Sequence, residues 1–227
     1  DVVGLPTPGA KVKLIPLADK YEIRIKSRGV TRGYLNEPEK TADSFDDEGY
    51  FKMGDAVRFD DESEPLKGLC FAGRVAEEFK LNSGTWVSAG TLRAEAVSAA
   101  SPYIRDVVVC GLNEAFVGLL VWPNIEACAG LLDEENGEQV SIQTLISSQR
   151  VKAKINEGFR VHNTANPGSS KYIRRYLLLS EQPNPGAYEI TDKGYINQRK
   201  AKRRRAKDVS RLVTENPDSN VEQLENR

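Results

Sequence analysis

The chain has 227 residues, 39% of them hydrophobic and 29% charged, with a formal net charge of −1. This is the composition of an ordinary globular protein, one large or two small domains long. The balanced charge gives no global pull toward nucleic acid or an anionic membrane. No apolar run approaches the roughly 20 residues that a spanning helix needs.

The first residues, Asp1-Val-Val-Gly-Leu-Pro6, have neither a basic n-region nor an apolar h-region, and they start without methionine. They are read as the beginning of a fragment or of a processed chain, not as a signal peptide. Residues 4–9 are rich in glycine and proline and form a turn-rich entry. Residues 11–15 and 21–26 alternate polar and apolar side chains, which predicts two half-buried strands, antiparallel neighbours. Residues 36–42 predict a short helix with Pro38 in its first turn. Residues 46–49 are a turn, and Tyr50-Phe-Lys-Met53 is a strand running into Gly54-Asp55. Residues 57–59 and 69–71 frame an acidic loop, 60–64, expected as a solvated hairpin connection.

Beyond Arg74 the pattern turns to α+β. Residues 79–81 and 86–87 read as short strands, and 91–100 carry a helical stripe at Leu92, Ala96, Val97 and Ala100. Residues 105–110 and 116–122 are strong strand runs, and Pro123 stops the second. Residues 125–132 and 141–159 read as helices with Asn136-Gly137 in an acidic turn between them. A polar loop (163–170), a strand (175–180), a loop (181–186) and one basic helix (198–213) follow, then a polar, frayed end (216–227). Cys70, Cys110 and Cys128 are odd in number and lack metal-ligand spacing, so they are expected to be reduced core thiols of a cytoplasmic protein. His162 is the only histidine, so a metal site or a Ser-His triad is not expected, and a satisfied loop histidine is the preferred reading.

Three stretches stand out from this background. Gly73-Arg-Val-Ala-Glu-Glu-Phe-Lys-Leu-Asn-Ser-Gly-Thr-Trp86 joins a Gly-Arg pair to a charged turn, a short strand and a Ser-Gly-Thr loop. Eighteen residues before it, Tyr50-Phe-Lys-Met-Gly-Asp55 places an acid directly after a glycine. Far downstream, Thr191-Asp-Lys-Gly-Tyr-Ile-Asn-Gln198 sets a lysine beside a turn glycine. With Gly33-Tyr34 and Pro38-Glu39, in this order and at these separations, the chain resembles the C-terminal portion of the adenylate-forming acyl-CoA synthetases, the AMP-binding superfamily. Phe79-Lys-Leu81, Gly84-Thr-Trp-Val-Ser88 and Glu189 to Gln198 look most like the feruloyl-CoA synthetase branch. The resemblance covers roughly residues 3–213.

The resemblance implies an α+β chain. Residues 1–75 would be the incomplete, β-rich last subdomain of the large adenylation domain, 76–213 the small mobile lid domain, and 214–227 a polar tail. It implies a ligase that activates a carboxylate with ATP and transfers it to coenzyme A, the acid being of the hydroxycinnamate type. The family's phosphate loop and the Thr-Glu pair that binds nucleotide and Mg²⁺ lie upstream. No metal ligands are therefore expected here, and the chain alone is expected to be inactive. Two rival readings stay open: an adenylation domain that hands its acyl group to a carrier protein or another acceptor, and a non-catalytic binding module.

Roles follow residue by residue. A ribose offers two vicinal hydroxyls, and Asp55 would accept both in charge-assisted bonds; otherwise it is a turn aspartate bonding its own backbone. Arg74, permanently charged, would be a second ribose or phosphate contact, or else a surface partner of the acidic loop. Arg74, Val75, Ala76 and Glu77 would form the hinge, with Ala76 where the family usually carries Asp or Lys. Lys193 would be catalytic: a carboxylate attacking the α-phosphate brings two anions together, and a positioned cation lowers that barrier. A strict overlay sets Tyr195 at the family's usual lysine position, and an exposed loop lysine is the plain alternative. Gly84, Thr85 and Trp86 would line the path of the CoA thiol, although Trp86 fits a core position equally. The basic run from Arg199 to Lys207 lacks interleaved aromatics, so it reads as a solvated helix and not as a nucleic-acid surface.

Overall fold

A computed structural model gives the architecture. It describes residues 2–132, 140–191 and 193–224, and every count below is of those residues. The expected Asn136-Gly137 turn, Asp192 and the last three residues of the frayed end lie outside them. The chain packs as two compact units, Asp1–Ala76 and Glu77–Arg227.

The first unit holds β1 (Val2–Gly4), β2 (Lys11–Leu17), β3 (Lys20–Lys26), α1 (Pro38–Asp43), β4 (Phe51–Phe59) and β5 (Leu69–Arg74). Its five-stranded sheet runs β1-β5-β4-β3-β2, with every neighbouring pair antiparallel. β2 and β3 are the neighbours their alternation predicts. The two-residue turn between them, Ala18-Asp19, puts Ala18 at φ 55, the left-handed backbone that matches strand twist in tight hairpins. Helix α1 opens on Pro38, whose missing N–H has no helical partner to lose. The acidic loop is a hairpin connection with its own cation: Lys67 pairs with Asp61 at 2.7 Å and Glu64 at 3.3 Å.

The second unit begins with a ribbon, β6 (Glu78–Lys80) and β7 (Trp86–Ser88), then α2 (Ala89–Ala99), β8 (Ile104–Cys110) and β9 (Val117–Pro123). It continues with α3 (Ile125–Gly130), α4 (Ile142–Ser147), α5 (Gln149–Ala165), β10 (Ile173–Leu178), α6 (Gln198–Arg204), α7 (Ala206–Val213) and β11 (Val221–Gln223). The sheet order is β11-β10-β9-β8. β9 and β10 are parallel and the outer pairs antiparallel. β8 and β9 read as continuous apolar runs because both of their faces are covered. Val107, Val109, Leu119 and Val121 share a core with Leu92 and Ala96 of α2 and Ile155 and Phe159 of α5. Val108, Leu120 and Trp122 pack the opposite face with Ala201 of α6 and Leu212 of α7. At Gly158 a side chain would strike Ala99 O, so the glycine lets α5 close on α2.

Four expectations need correction. The helix expected over 141–159 is two helices, because Ser148 takes an extended backbone and its side chain accepts from Val151 N, starting α5 afresh. α5 then runs on to Ala165 and takes in His162, which is helical rather than in a loop. His162 Nε2 donates to Lys171 O at 3.0 Å, and Asn163 exchanges two 2.8 Å bonds with the backbone of Ile173. The basic helix expected over 198–213 breaks at Arg205, which is buried. The polar end is not frayed through Leu224: β11 pairs with β10, Val221 and Leu224 are buried, and Lys152 holds Glu222 at 2.9 Å. The three cysteines are free and buried. Burial pushes the Cys110 thiol up to about 12 and the Cys128 thiol up to about 11. Among the described residues no helix is long and apolar enough to cross a membrane.

Candidate functional site

In the first unit the structure brings Asp55 and Arg74 together. They are register partners on β4 and β5, at an irregularity that follows Gly54. Gly54 takes φ 74, a backbone that favours glycine. Arg74 Nη1 lies 2.6 Å from Asp55 Oδ1. The acidic loop does not claim Arg74, since Lys67 already serves it. The Asp55 side chain is one-fifth exposed and that of Arg74 about half, at 55%. The pair is thus a carboxylate beside a cation without hydrogen-bond geometry, and the buried Asp55 Oδ1 is left with no hydrogen-bond donor. Arg74 ends β5, and Val75–Glu77 form a single 3₁₀ turn. The two units divide inside that turn, between Ala76 and Glu77.

In the second unit Gly84, Thr85 and Trp86 lie together on the loop that joins β6 to β7. Leu81 and Thr85 close the loop by a 2.9 Å backbone bond, and Gly84 N donates to Leu81 O at 2.9 Å. Gly84 takes φ 85 with open space where a side chain would begin. The loop is stapled to the 111–114 turn: Asn82 N donates to Glu114 O and Asn113 N to Lys80 O, both at 2.9 Å. Trp86 is half-buried, with Lys80 Nζ 4.8 Å from its ring centroid. It is therefore not a core tryptophan; Trp122 is, with its Nε1 donating to Glu181 O.

Lys193 lies on a different loop of the same unit, at an exposed turn. The ends of that turn meet in an isolated bridge between Ile190 and Ile196. Thr191 N donates to Tyr195 O, and Gly194 N to Thr191 O, each at 2.8 Å. Gly194 takes φ 81. Among the described residues nothing pairs with the Lys193 ammonium. Tyr195 is exposed, and the Arg93 guanidinium lies 5.9 Å from its ring. Arg93 is itself fixed by two 2.6 Å bonds to the buried Asp106, which also hold its pKa up.

Two residues that sequence reasoning gave no role fasten this turn. Glu189 is fully buried. Its Oε1 accepts from Arg205 Nε at 2.9 Å, and its Oε2 from Arg205 Nη2 at 3.2 Å and Asn184 N at 2.8 Å. Arg204 Nε adds an ion pair at 3.4 Å. Gln198, also buried, bonds the free edge of β8: its Oε1 accepts from Val109 N and its Nε2 donates to Val107 O. The available signal was an acid and an amide at the two ends of the Lys193 motif. The basic run is partly spoken for: Arg204 also pairs with Glu181, Lys202 lies over the Phe79 ring and Lys200 over Tyr188. Among the described residues no three His, Cys, Asp or Glu side chains converge as a metal would require.

No protein-family model matches the chain. Among curated proteins it is 31% identical over 167 residues to the 4-coumarate–CoA ligase of Vanilla planifolia, covering 72% of this chain and 28% of that protein. It is 31% identical over 137 residues to fatty acyl-CoA synthetase A of Dictyostelium discoideum, covering 55% and 20%. It is 32% identical over 115 residues to the carboxylic acid reductase of Segniliparus rugosus, covering 50% and 9%. The chain thus spans less than a third of these relatives. Among solved structures it resembles the A domain of carboxylic acid reductase from Segniliparus rugosus, in complex with AMP and a co-purified carboxylic acid. There the TM-score is 0.69 at 22% identity, over 92% of this chain and 32% of that one. The adenylation (A) domain of the carboxylate reductase from Mycobacterium chelonae gives a TM-score of 0.71 at 22% identity, with the same coverage. These likenesses show the fold: the chain is an α+β arrangement with open sheets, the fold of about a third of such an adenylation domain.

Proposed function

We propose that the chain is part of an ATP-dependent acyl-CoA ligase acting on a hydroxycinnamate-type acid, with Asp55 and Arg74 at the nucleotide and Lys193 at the reacting phosphate. The observation that carries this reading is the Asp55–Arg74 pair, a carboxylate beside a cation whose Oδ1 has no hydrogen-bond donor of its own, which suits it to accept from the hydroxyls of a ribose. The relative named for 4-coumarate supports the choice of acid. In the first half-reaction a carboxylate oxygen attacks the α-phosphorus of ATP. The bond to the β-phosphate oxygen breaks and pyrophosphate leaves with the electron pair. Lys193, on its exposed turn, would offset the charge that builds on the phosphoryl oxygens. Mg²⁺ would neutralise the pyrophosphate, held by residues outside this chain. In the second half-reaction the CoA thiolate attacks the acyl carbon and AMP leaves. The loop of Gly84, Thr85 and Trp86 would line the thiol path, and the turn through Arg74, Val75, Ala76 and Glu77 would be the pivot between the two steps. A cytoplasmic location fits such substrates.

A second reading has its own support. The TM-scores to the two carboxylate-reductase A domains exceed the 0.54 found with ATP-bound MatB from Rhodopseudomonas palustris. In this reading the adenylate passes to a carrier-protein thiol and not to free CoA. A third, in which the second unit is only a binding module, leaves the Asp55–Arg74 pair unused. The test is direct. AMP added to the chain should shift the amide resonances of Asp55 and Arg74, and 2′,3′-dideoxy-AMP should not. Equal shifts with both nucleotides would remove the ribose role.

A further inference from the structure

The Lys193 turn rises between two buried polar groups, Glu189 and Gln198, and each is fully engaged. Burying a carboxylate is costly unless it is paired and hydrogen-bonded. Glu189 meets that condition with two bonds from Arg205, one from Asn184 N and an ion pair with Arg204. Both members of the central pair are almost without solvent, with side chains 0% and 3% exposed. Such pairs are poor sources of stability, because well-packed apolar residues of the same volume often do as well. What such pairs can supply is a fixed geometry. Here they fix a loop that the core does not hold: Lys193, Gly194 and Tyr195 are all exposed. The backbone enters the same arrangement, since Asn197 N donates to Glu189 O at 2.8 Å. At the far end Gln198 replaces a missing strand on the edge of β8, with bonds of 2.9 and 2.8 Å to Val109 and Val107. The turn is thereby tied to the most buried sheet of the molecule.

We propose that Glu189, through Arg205, and Gln198 are positioning residues that hold the Lys193 ammonium where the phosphoryl charge develops. The proposal rests on the role given to Lys193 above. It locates the precision of an exposed lysine in two buried groups that never meet substrate.

Two measurements on Glu189→Gln test it. In the 227-residue chain, the amides of Thr191 and Gly194 should exchange with solvent about tenfold faster while those of β8 and β9 keep their rates, because the opening is local. In the ligase that carries this chain, kcat for ATP–pyrophosphate exchange should fall about tenfold with the KM for ATP within about twofold, the signature of a misplaced group. The loss should vanish in a Lys193→Ala background. Glu189→Gln combined with Arg205→Met removes both charges and guards against misfolding, and it should give the same local loosening. Gln198→Leu should in addition speed exchange at Val109. Unchanged exchange at Thr191 and Gly194 overturns the proposal, as does a uniform loss of protection across β8 and β9 in both variants, which would make Glu189 a residue of the fold. If Lys193→Ala itself leaves pyrophosphate exchange intact, it is the role of Lys193 that fails, and the exchange rates still decide whether Glu189 orders the turn.

Discussion

Arg74 and Asp55 face each other across β5 and β4, with Nη1 2.6 Å from Oδ1. Arg74 is about half exposed, and ion pairs in such settings contribute about 0–1 kcal/mol. The pair is therefore a weak brace, and Asp55 Oδ1 is left without a hydrogen-bond donor. Asp55→Ala should change stability by less than about 1 kcal/mol. It should weaken binding of a ribonucleotide about 10- to 100-fold, the range for a lost charge-assisted bond. Urea denaturation beside AMP titration separates the two effects. A large loss of stability with unchanged binding would make Asp55 a structural turn residue.

If the chain is part of the proposed ligase, the two loops of its second unit predict opposite defects. Lys193→Ala should slow adenylation by about 10²–10³, the usual loss of one transition-state donor. It should spare thioester formation from pre-made acyl-adenylate. Gly84→Leu should do the reverse, since it puts bulk where there is open space and leaves the phosphate untouched. Because Gly84 takes φ 85, that variant also carries a backbone cost of about 1 kcal/mol. Its fold should be checked by circular dichroism before rates are compared. Equal slowing of both half-reactions by Lys193→Ala would remove the division of labour.

The isolated chain should not catalyse ATP–pyrophosphate exchange with any aromatic acid. Displacing pyrophosphate from the α-phosphorus needs positioned cations where charge develops, and the phosphate loop and Mg²⁺-binding acid that the resemblance implies lie upstream of this sequence. Robust exchange by this chain would show that its phosphate site is built from other residues.

Limited proteolysis should cut first within residues 60–66 or near 74–78. Few contacts cross a boundary between compact units, and the chain divides between Ala76 and Glu77. The surviving fragment should reach Leu224, because β11 is paired and Leu224 N donates to Arg174 O. First cleavage inside residues 107–122 would contradict the division.

The buried thiols predict an alkaline limit. Burial raises Cys110 from 9.0 to about 12, so the folded state keeps its proton after the unfolded chain has lost it. Stability from this group is complete below about pH 9 and declines as pH rises toward 12. At pH 8 a disulfide reagent should leave Cys110 and Cys128 unmodified in native protein and react with all three cysteines in urea. Rapid modification of Cys110 in the native protein would refute its burial.

The sequence determined what depends on neighbours along the chain. Continuous apolar runs specified β8 and β9, alternation specified β2 and β3, and Pro38 specified the start of α1, because each signal is local to its element. The order of Gly54-Asp55, Gly73-Arg74 and the Lys193 motif was legible for the same reason. Only the tertiary structure decided that Arg74 pairs with Asp55 rather than with the acidic loop. Only it showed that the basic helix breaks at Arg205 and that Glu189 and Gln198 are buried. A charged side chain can leave water only where a partner waits, and the partner of Glu189 lies 16 residues away, while the backbone groups bonded by Gln198 lie 89 and 91 residues away. Periodicity treats such residues as surface, since their burial is set by distant atoms that the fold alone brings within hydrogen-bonding reach.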